Sequence, residues 1–231
     1  MIALLAAAAT TLAAATATPP PAFPPEAVLA RYAQALAGLR EPRVFTVDYT
    51  LEQTGARRLD QRHRIFRNGT DERDETTAVN GNRPSLPVVR IFRRRPYRYT
   101  VAALAPKRSA YDFVFAGPHR DGKHVDYVFT LVPKRAVPGL ALTQLTIDGV
   151  SFLPQSISFA SALHAARGSV TFGKVDRYWV ARGASAQAGP PGPVARERLA
   201  FAAWRFPKAL PASTFSTPRP FPTVPAPALL P

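Results

Sequence analysis

From Val44 onward, apolar residues recur at every second position. Phe45, Val47, Tyr49 and Leu51 alternate with Thr46, Asp48 and Thr50, which predicts a strand with one buried face. Thr54-Gly55 marks a turn, Arg57 to Phe66 returns, and Asn68-Gly69 supplies a second hairpin signal. The polar stretch Thr70 to Thr77 reads as an edge or solvent-facing strand, and Asn80-Gly81-Asn82 with Pro84 as a longer loop. Candidate strands then follow at Val88–Arg93, Tyr97–Leu104, Tyr111–Ala116 and Val125–Val132. Beyond Pro138-Gly139 come Leu140–Ile147, Gln155–Phe159, Ser169–Val175, Tyr178–Ala186 and Glu197–Phe206. Asp121-Gly122, Asp148-Gly149 and Gly168 separate them as turn signals, and Ser161 to Arg167 adds a helical turn at most. Many short strands without intervening helices argue for a sandwich or barrel and against a parallel sheet.

One segment has the other period. Leu29, Tyr32, Leu36 and Leu39, with Val28 beside them, form a single apolar stripe. Pro25 suits a first helical turn and Glu26 the positive end of the dipole. The stretch predicts an amphipathic helix that ends near Gly38 and packs on the sheet.

The ends differ in composition from the middle. Residues 1–17 read as a signal peptide: Ile2 to Ala15 is an uncharged apolar run too short to span a bilayer, and Ala15-Thr16-Ala17 is a cleavage-like site. No Lys or Arg precedes the run. Residues 18–25 form a Pro-rich linker, 26–216 the folded domain, and 217–231 a Pro-rich tail. Extracytoplasmic residence, in soluble form after cleavage, is the implied localisation.

Charge narrows the partners. Thirty Lys+Arg against 15 Asp+Glu give a formal net charge of +15, a surface that attracts polyanions, although an Arg-, Ala- and Pro-rich composition accounts for part of the excess. The densest cluster is Arg90, Arg93, Arg94, Arg95 and Arg98, interleaved with Phe92, Tyr97 and Tyr99. Such a cluster can meet lipid phosphates at headgroup level, bind an acidic envelope protein, or act as a solvated strand edge that resists aggregation. Export disfavours nucleic acid. The absence of Cys excludes disulfides, thiolate chemistry and a lipidated cysteine.

Catalytic signals are missing. No G-x-S-x-G, H-E-x-x-H or phosphate-cradling glycine loop occurs, so neither an enzyme nor a cofactor is expected. His119, Asp121, His124 and Asp126 could bind an ion, but they flank a hairpin tip, and a polar turn is the plainer reading. No metal is expected. His63 alternates with charged neighbours, which places it at the surface, and His164 has no acidic neighbour.

The second half carries a recognisable texture. Tyr127-Val128-Phe129-Thr130-Leu131-Val132-Pro133-Lys134 is followed by Leu142-Thr143-Gln144-Leu145-Thr146-Ile147-Asp148 and Leu153-Pro154-Gln155-Ser156-Ile157-Ser158-Phe159. Gly168-Ser169-Val170-Thr171-Phe172, Tyr178-Trp179-Val180 and Trp204-Arg205-Phe206 follow, with Leu210-Pro211 and Phe215 behind. In order of elements from Ala27 to Phe215, this resembles the lipoprotein-carrier superfamily, the LolA-like fold of outer-membrane lipoprotein-sorting proteins and envelope-stress regulators. Phe92-Arg93-Arg94-Arg95-Pro96 is similar to an arginine-before-proline feature of that family. However, the chain is longer before it, and shorter from Pro96 to Tyr127, than the lipoprotein carrier, so Arg95 is not carried over as a lid contact.

The resemblance implies a mainly β fold: a single antiparallel sheet curved into an incomplete barrel, with the N-terminal amphipathic helix covering it. It also implies a binding or carrier role for a lipid, lipoprotein or other amphiphile, with acyl chains held in an apolar cavity. The expected lining is Phe45, Val47, Tyr49, Leu51, Phe129, Leu131, Ile147, Phe159, Phe172 and Trp204. Arg90, Arg93, Arg94, Arg95 and Arg98 are the expected contacts for an anionic group or membrane surface. The alternative is an envelope interaction or regulatory module that binds an acidic partner through its basic patch and a sheet edge.

Overall fold

The computed structural model describes residues 23–85, 88–122, 124–162, 165–189, 194–216 and 228–230. The predicted leader, most of the linker, His164 and most of the tail lie outside these residues. The chain opens with helix α1 (Pro25–Gly38), then strands β1 (Val44–Gly55), β2 (Leu59–Asn68), β3 (Asp71–Val79) and β4 (Val88–Phe92). A one-turn helix, α2 (Val101–Leu104), precedes β5 (Tyr111–Asp121), β6 (His124–Pro133), β7 (Leu140–Asp148) and β8 (Pro154–Ser161). The last strands are β9 (Ala166–Val175), β10 (Tyr178–Ala188) and β11 (Val194–Arg205), with a 3-10 turn at Ala212–Phe215.

All eleven strands form one antiparallel sheet in the order β4-β3-β2-β1-β11-β10-β9-β8-β7-β6-β5, which is not closed. Its edges, β4 and β5, are consecutive in sequence. Residues 93–110 therefore have to pass from one edge to the other. They cross the inward face, where the Tyr97 ring meets Phe45 at 5.2 Å and Tyr99 meets Phe201 at 5.3 Å.

Alternation decides what faces inward. On β1, Phe45, Val47, Tyr49 and Leu51 are buried, and their cross-strand partners include Leu199 and Phe201 on β11 and Ile65 on β2. On β6, Tyr127, Phe129 and Leu131 continue the same face. Helix α1 covers this side of the sheet. Val28, Leu29 and Tyr32 are buried, Tyr32 lies 6.5 Å from Phe113, and the Phe23 N–H donates to the Tyr127 hydroxyl at 3.1 Å. The outer face has no such cover: Val114 and Val132 are exposed. Apolar residues on both faces of a strand thus do not signal two covered faces here.

The structure corrects several local expectations. Tyr97–Leu104 is not a strand but an irregular crossing that ends in α2, where the Thr100 hydroxyl caps the Ala103 N–H at 3.0 Å. Thr70–Thr77 is not an edge, because β3 lies between β2 and β4 and buries Glu72, Asp74 and Thr76. Around Ser161–Arg167, Ala160 pairs with Arg167 and Ser161 with Ala166 as β8 gives way to β9. Gly168 is not a turn but an interior position of β9, where an added Cβ would stand 2.3 Å from the Ser185 carbonyl oxygen and 2.5 Å from the Phe159 ring.

Trp204 alternates in sequence against Leu199 and Phe201, yet it shares their face. The reason is a bulge. Ala203 has φ +50°, and the β1–β11 register shifts between Thr46 and Asp48. One extra residue turns Trp204 inward, where its ring lies 5.2 Å from Phe45. Ala203→Val, with a β-branched residue in the left-handed region, is expected to cost about 1–2 kcal/mol or to erase the bulge. In a Trp179→Phe background, Trp204 fluorescence should then shift to the red, whereas Ala203→Gly should keep the emission and the stability.

Candidate functional site

All ten expected lining residues are buried in the inward core: Phe45, Val47, Tyr49, Leu51, Phe129, Leu131, Ile147, Phe159, Phe172 and Trp204. Two spaces border the aromatic residues of the inward face. A cavity of about 130 Å³ lies among Tyr49, Ile65, Tyr97, Tyr99, Leu199, Phe201 and Leu230 on one side and Glu72, Asp74, Arg90, Arg95 and Arg98 on the other. A groove of about 630 Å³ runs past Phe45, Tyr97, Trp179 and Trp204. Of the ten, Tyr49 lines the cavity, Phe45 and Trp204 line the groove, and the other seven line neither.

The inward face is chemically divided. From β5 to β11 it is almost wholly apolar. On β2, β3 and β4 it carries Gln61, His63, Arg67, Glu72, Asp74, Thr76 and Arg90, and all but the part-buried Arg90 are buried. The corrected position of β3 explains this: a charged strand in the sheet interior has to turn one set of its polar side chains inward.

These groups satisfy one another. His63, 2% exposed and not at the surface as expected, holds the Asp74 carboxylate at 2.8 Å through Nδ1 and the Gln61 side-chain oxygen at 2.9 Å through Nε2. Its ring stacks on Tyr49 at 4.5 Å. The second Asp74 oxygen accepts from the Tyr49 hydroxyl at 3.2 Å and from Arg90 at 2.5 Å. Burial acts to raise the Asp74 pKa, but the hydrogen bonds and charges of His63 and Arg90 together hold it below the usual carboxylate range. Arg67 pairs with Glu72 at 2.8 Å and also donates to the Arg95 carbonyl oxygen. There burial outweighs the pairing and pushes the Glu72 carboxyl up.

Donors at the cavity are left unspent, among them the Nε–H of Arg90. The Tyr97 and Tyr99 hydroxyls are buried without a hydrogen-bond partner among the described residues. Burial pushes both phenols up, so they stay neutral donors across the working pH range.

The five arginines do not act as one patch. Arg90 is committed to Asp74, and Arg93 to Asp71 at 2.5 Å and to the Phe215 carbonyl oxygen. Arg95 stacks over Phe92 at 4.2 Å. Arg94 and Arg98 are exposed, and Arg95 and Arg98 line the cavity.

His124 and Asp126 come together with Asp148, which the sequence did not single out. His124 Nε2 lies 3.0 Å from a carboxylate oxygen of each aspartate, and all donor atoms fall within 4.8 Å of one another. Asp126 and Asp148 are directly paired on β6 and β7. An imidazolium or a bound cation would each offset the two carboxylates. Asp148 also orders the β7–β8 turn, since its other oxygen accepts from the Val150 and Ser151 N–H groups at 3.2 and 2.6 Å. Asp121 pairs with His124 across the hairpin tip, and His119 pairs with Asp126 in the β5–β6 register.

Sequence reasoning also missed Asp74, Gln53 and Glu197. Glu197, 2% exposed, faces inward beside Leu199 and Phe201 and accepts from the Gln53 side chain at 2.8 Å. The one available signal was an acidic residue in register with the apolar positions of its strand.

No protein-family model matches the sequence, and no curated protein matches it. Among solved structures, the fold is similar to a LolA-superfamily protein from Nitrosomonas europaea at 12% identity, with a TM-score of 0.43 over 85% of this chain and 99% of that one. It is similar to a putative outer-membrane lipoprotein-sorting protein domain from Vibrio parahaemolyticus at 13% identity, TM-score 0.47, over 82% and 96%. MucB gives 16% identity and a TM-score of 0.32, over 84% of this chain and 62% of MucB. Among the described residues, no helix is long and apolar enough to cross a membrane.

Removing the centre of the polar network should unfold its half of the sheet. Asp74→Ala leaves His63, Arg90 and the Tyr49 hydroxyl without their acceptor and is expected to cost about 3–5 kcal/mol in urea denaturation. A depressed folded-state pKa gives stability that is present above the unfolded value and lost as pH falls through the folded one. The wild-type advantage over Asp74→Asn should therefore be full at neutral pH and shrink on acidification below the usual carboxylate range.

Proposed function

We propose that this chain is an exported, non-catalytic binding or carrier protein for a lipid, a lipoprotein or another amphiphile. The observation that carries this is the division of the inward face, with a seam cavity lined by both its apolar and its charged residues. An acyl chain entering there meets Ile65, Leu199 and Phe201, while its polar end meets Arg95, Arg98 and the unpartnered hydroxyls of Tyr97 and Tyr99. Each methylene taken from water contributes ~0.8 kcal/mol. The charged side chains at the mouth select the headgroup.

The leader-like residues 1–17 support an extracytoplasmic site of action. The wider groove past Phe45 and Trp204 gives a longer chain room to continue from Tyr97, which lines both spaces. The remaining buried residues expected as lining, from Val47 to Phe172, then shape the wall that the cargo rests on. A surface role for the whole arginine cluster has less support, because Arg90 is paired with the buried Asp74 and Arg93 is already paired with Asp71.

Titration with a dansyl-labelled undecanoic acid tests the proposal. Saturable binding is expected, and the double variant Arg95→Glu, Arg98→Glu should weaken it roughly tenfold, about 1.4 kcal/mol. The same variant should change the binding of an uncharged alkyl maltoside by much less. Absence of saturable binding for either probe, or equal losses for both, would contradict the assignment.

A further inference from the structure

Glu197 is out of place as a core residue. It lies on the inward face of β11 with Leu199 and Phe201 and is 2% exposed. A buried carboxylate without compensating donors is strongly destabilising. No ion pair to it occurs among the described residues. The Gln53 side chain supplies one donor at 2.8 Å, and the others come from the far end of the sequence. The Ala228 N–H donates to both Glu197 oxygens at 2.9 and 3.1 Å, the Leu229 N–H to Oε2 at 2.6 Å, and the Leu230 N–H to the same oxygen at 3.2 Å. Leu229 and Leu230 are buried in the core cluster, and Leu230 forms part of the wall of the seam cavity.

We infer that Glu197 and the seam cavity form a receptor for a peptide backbone carrying two adjacent apolar side chains, and that Ala228–Leu230 fills it in cis as a displaceable plug that amphiphilic cargo has to expel. The contact has the features of ligand recognition and not of ordinary core packing. Three successive N–H groups converge on one carboxylate, which fixes the backbone, while Leu230 lines the space that an acyl chain would occupy. Residues 207–231 are rich in proline and contain no acidic residue, so the segment brings no charge that would resist entry beside Glu197. The regulatory half of this inference rests on the amphiphile-binding proposal; the receptor half does not.

The two halves separate experimentally. In the full chain, hydrogen exchange should show the amides of Ala228, Leu229 and Leu230 protected, and Glu197→Ala should abolish that protection. Exchange as fast as that of a free peptide in the wild type would overturn the inference whatever the cargo. In the full-length variant Leu229→Ser, Leu230→Ser, the dansyl-labelled undecanoic acid should bind at least tenfold more tightly than in the wild type, because the fraction of binding-competent sites rises. A synthetic peptide of residues 222–231 added in trans should reverse that gain. Unchanged or weaker probe binding in this variant would overturn the plug. Binding of the peptide with no binding of any acyl probe would keep the receptor and refute amphiphile carriage instead. Glu197→Gln, which keeps one acceptor oxygen, serves as the folded control and should give an intermediate gain.

Discussion

An open sheet with one apolar face has to be covered by chain that is not part of the sheet. Here the requirement is acute, because the sheet order places the consecutive strands β4 and β5 at opposite edges and leaves the inward face of eleven strands to be closed. Three separate segments do it. Helix α1 covers the β5–β6 side, the crossing 93–110 covers the middle, and Ala228–Leu230 closes the region above β11. None of the three belongs to the hydrogen-bonded ladder. Each can in principle move without breaking a strand pair, which is where local opening is least costly.

The same constraint gives the face its two chemistries. Strands β5 to β11 bury mostly apolar side chains under α1 and the crossing, with Glu197 on β11 as the exception. Strands β2 to β4 are short of apolar residues on their inward positions, so they close with a hydrogen-bonded set centred on Asp74 and a second pair, Arg67 with Glu72. Polar networks of this kind are stable only when nearly every member is satisfied. The two phenols left over, at Tyr97 and Tyr99, sit where the polar and apolar regions meet. A ligand with both characters is the natural complement.

The period-two pattern made the strands legible, and it placed Phe45, Val47, Tyr49 and Leu51 on one face of their strand. The helix was legible from its stripe and from Pro25. What alternation could not convey was a change of phase: Ala203 adopts a positive φ without being glycine, and Trp204 changes face as a result. Nor could it place a strand within the sheet. The charge of Thr70–Thr77 suggested an edge, but β4 pairs outside it, and Asp74 and His63 become buried partners. Glu197 and Asp148 depend on contacts with residues far along the chain, Leu229 in one case and His124 in the other, which no local pattern encodes.

The central claim is that the divided face holds a two-natured molecule. Native mass spectrometry of the protein isolated from its own cells tests it most directly. The account predicts a population carrying one additional amphiphile mass, released by mild detergent. Bare polypeptide throughout, from gentle extraction and at every collision energy, would contradict it.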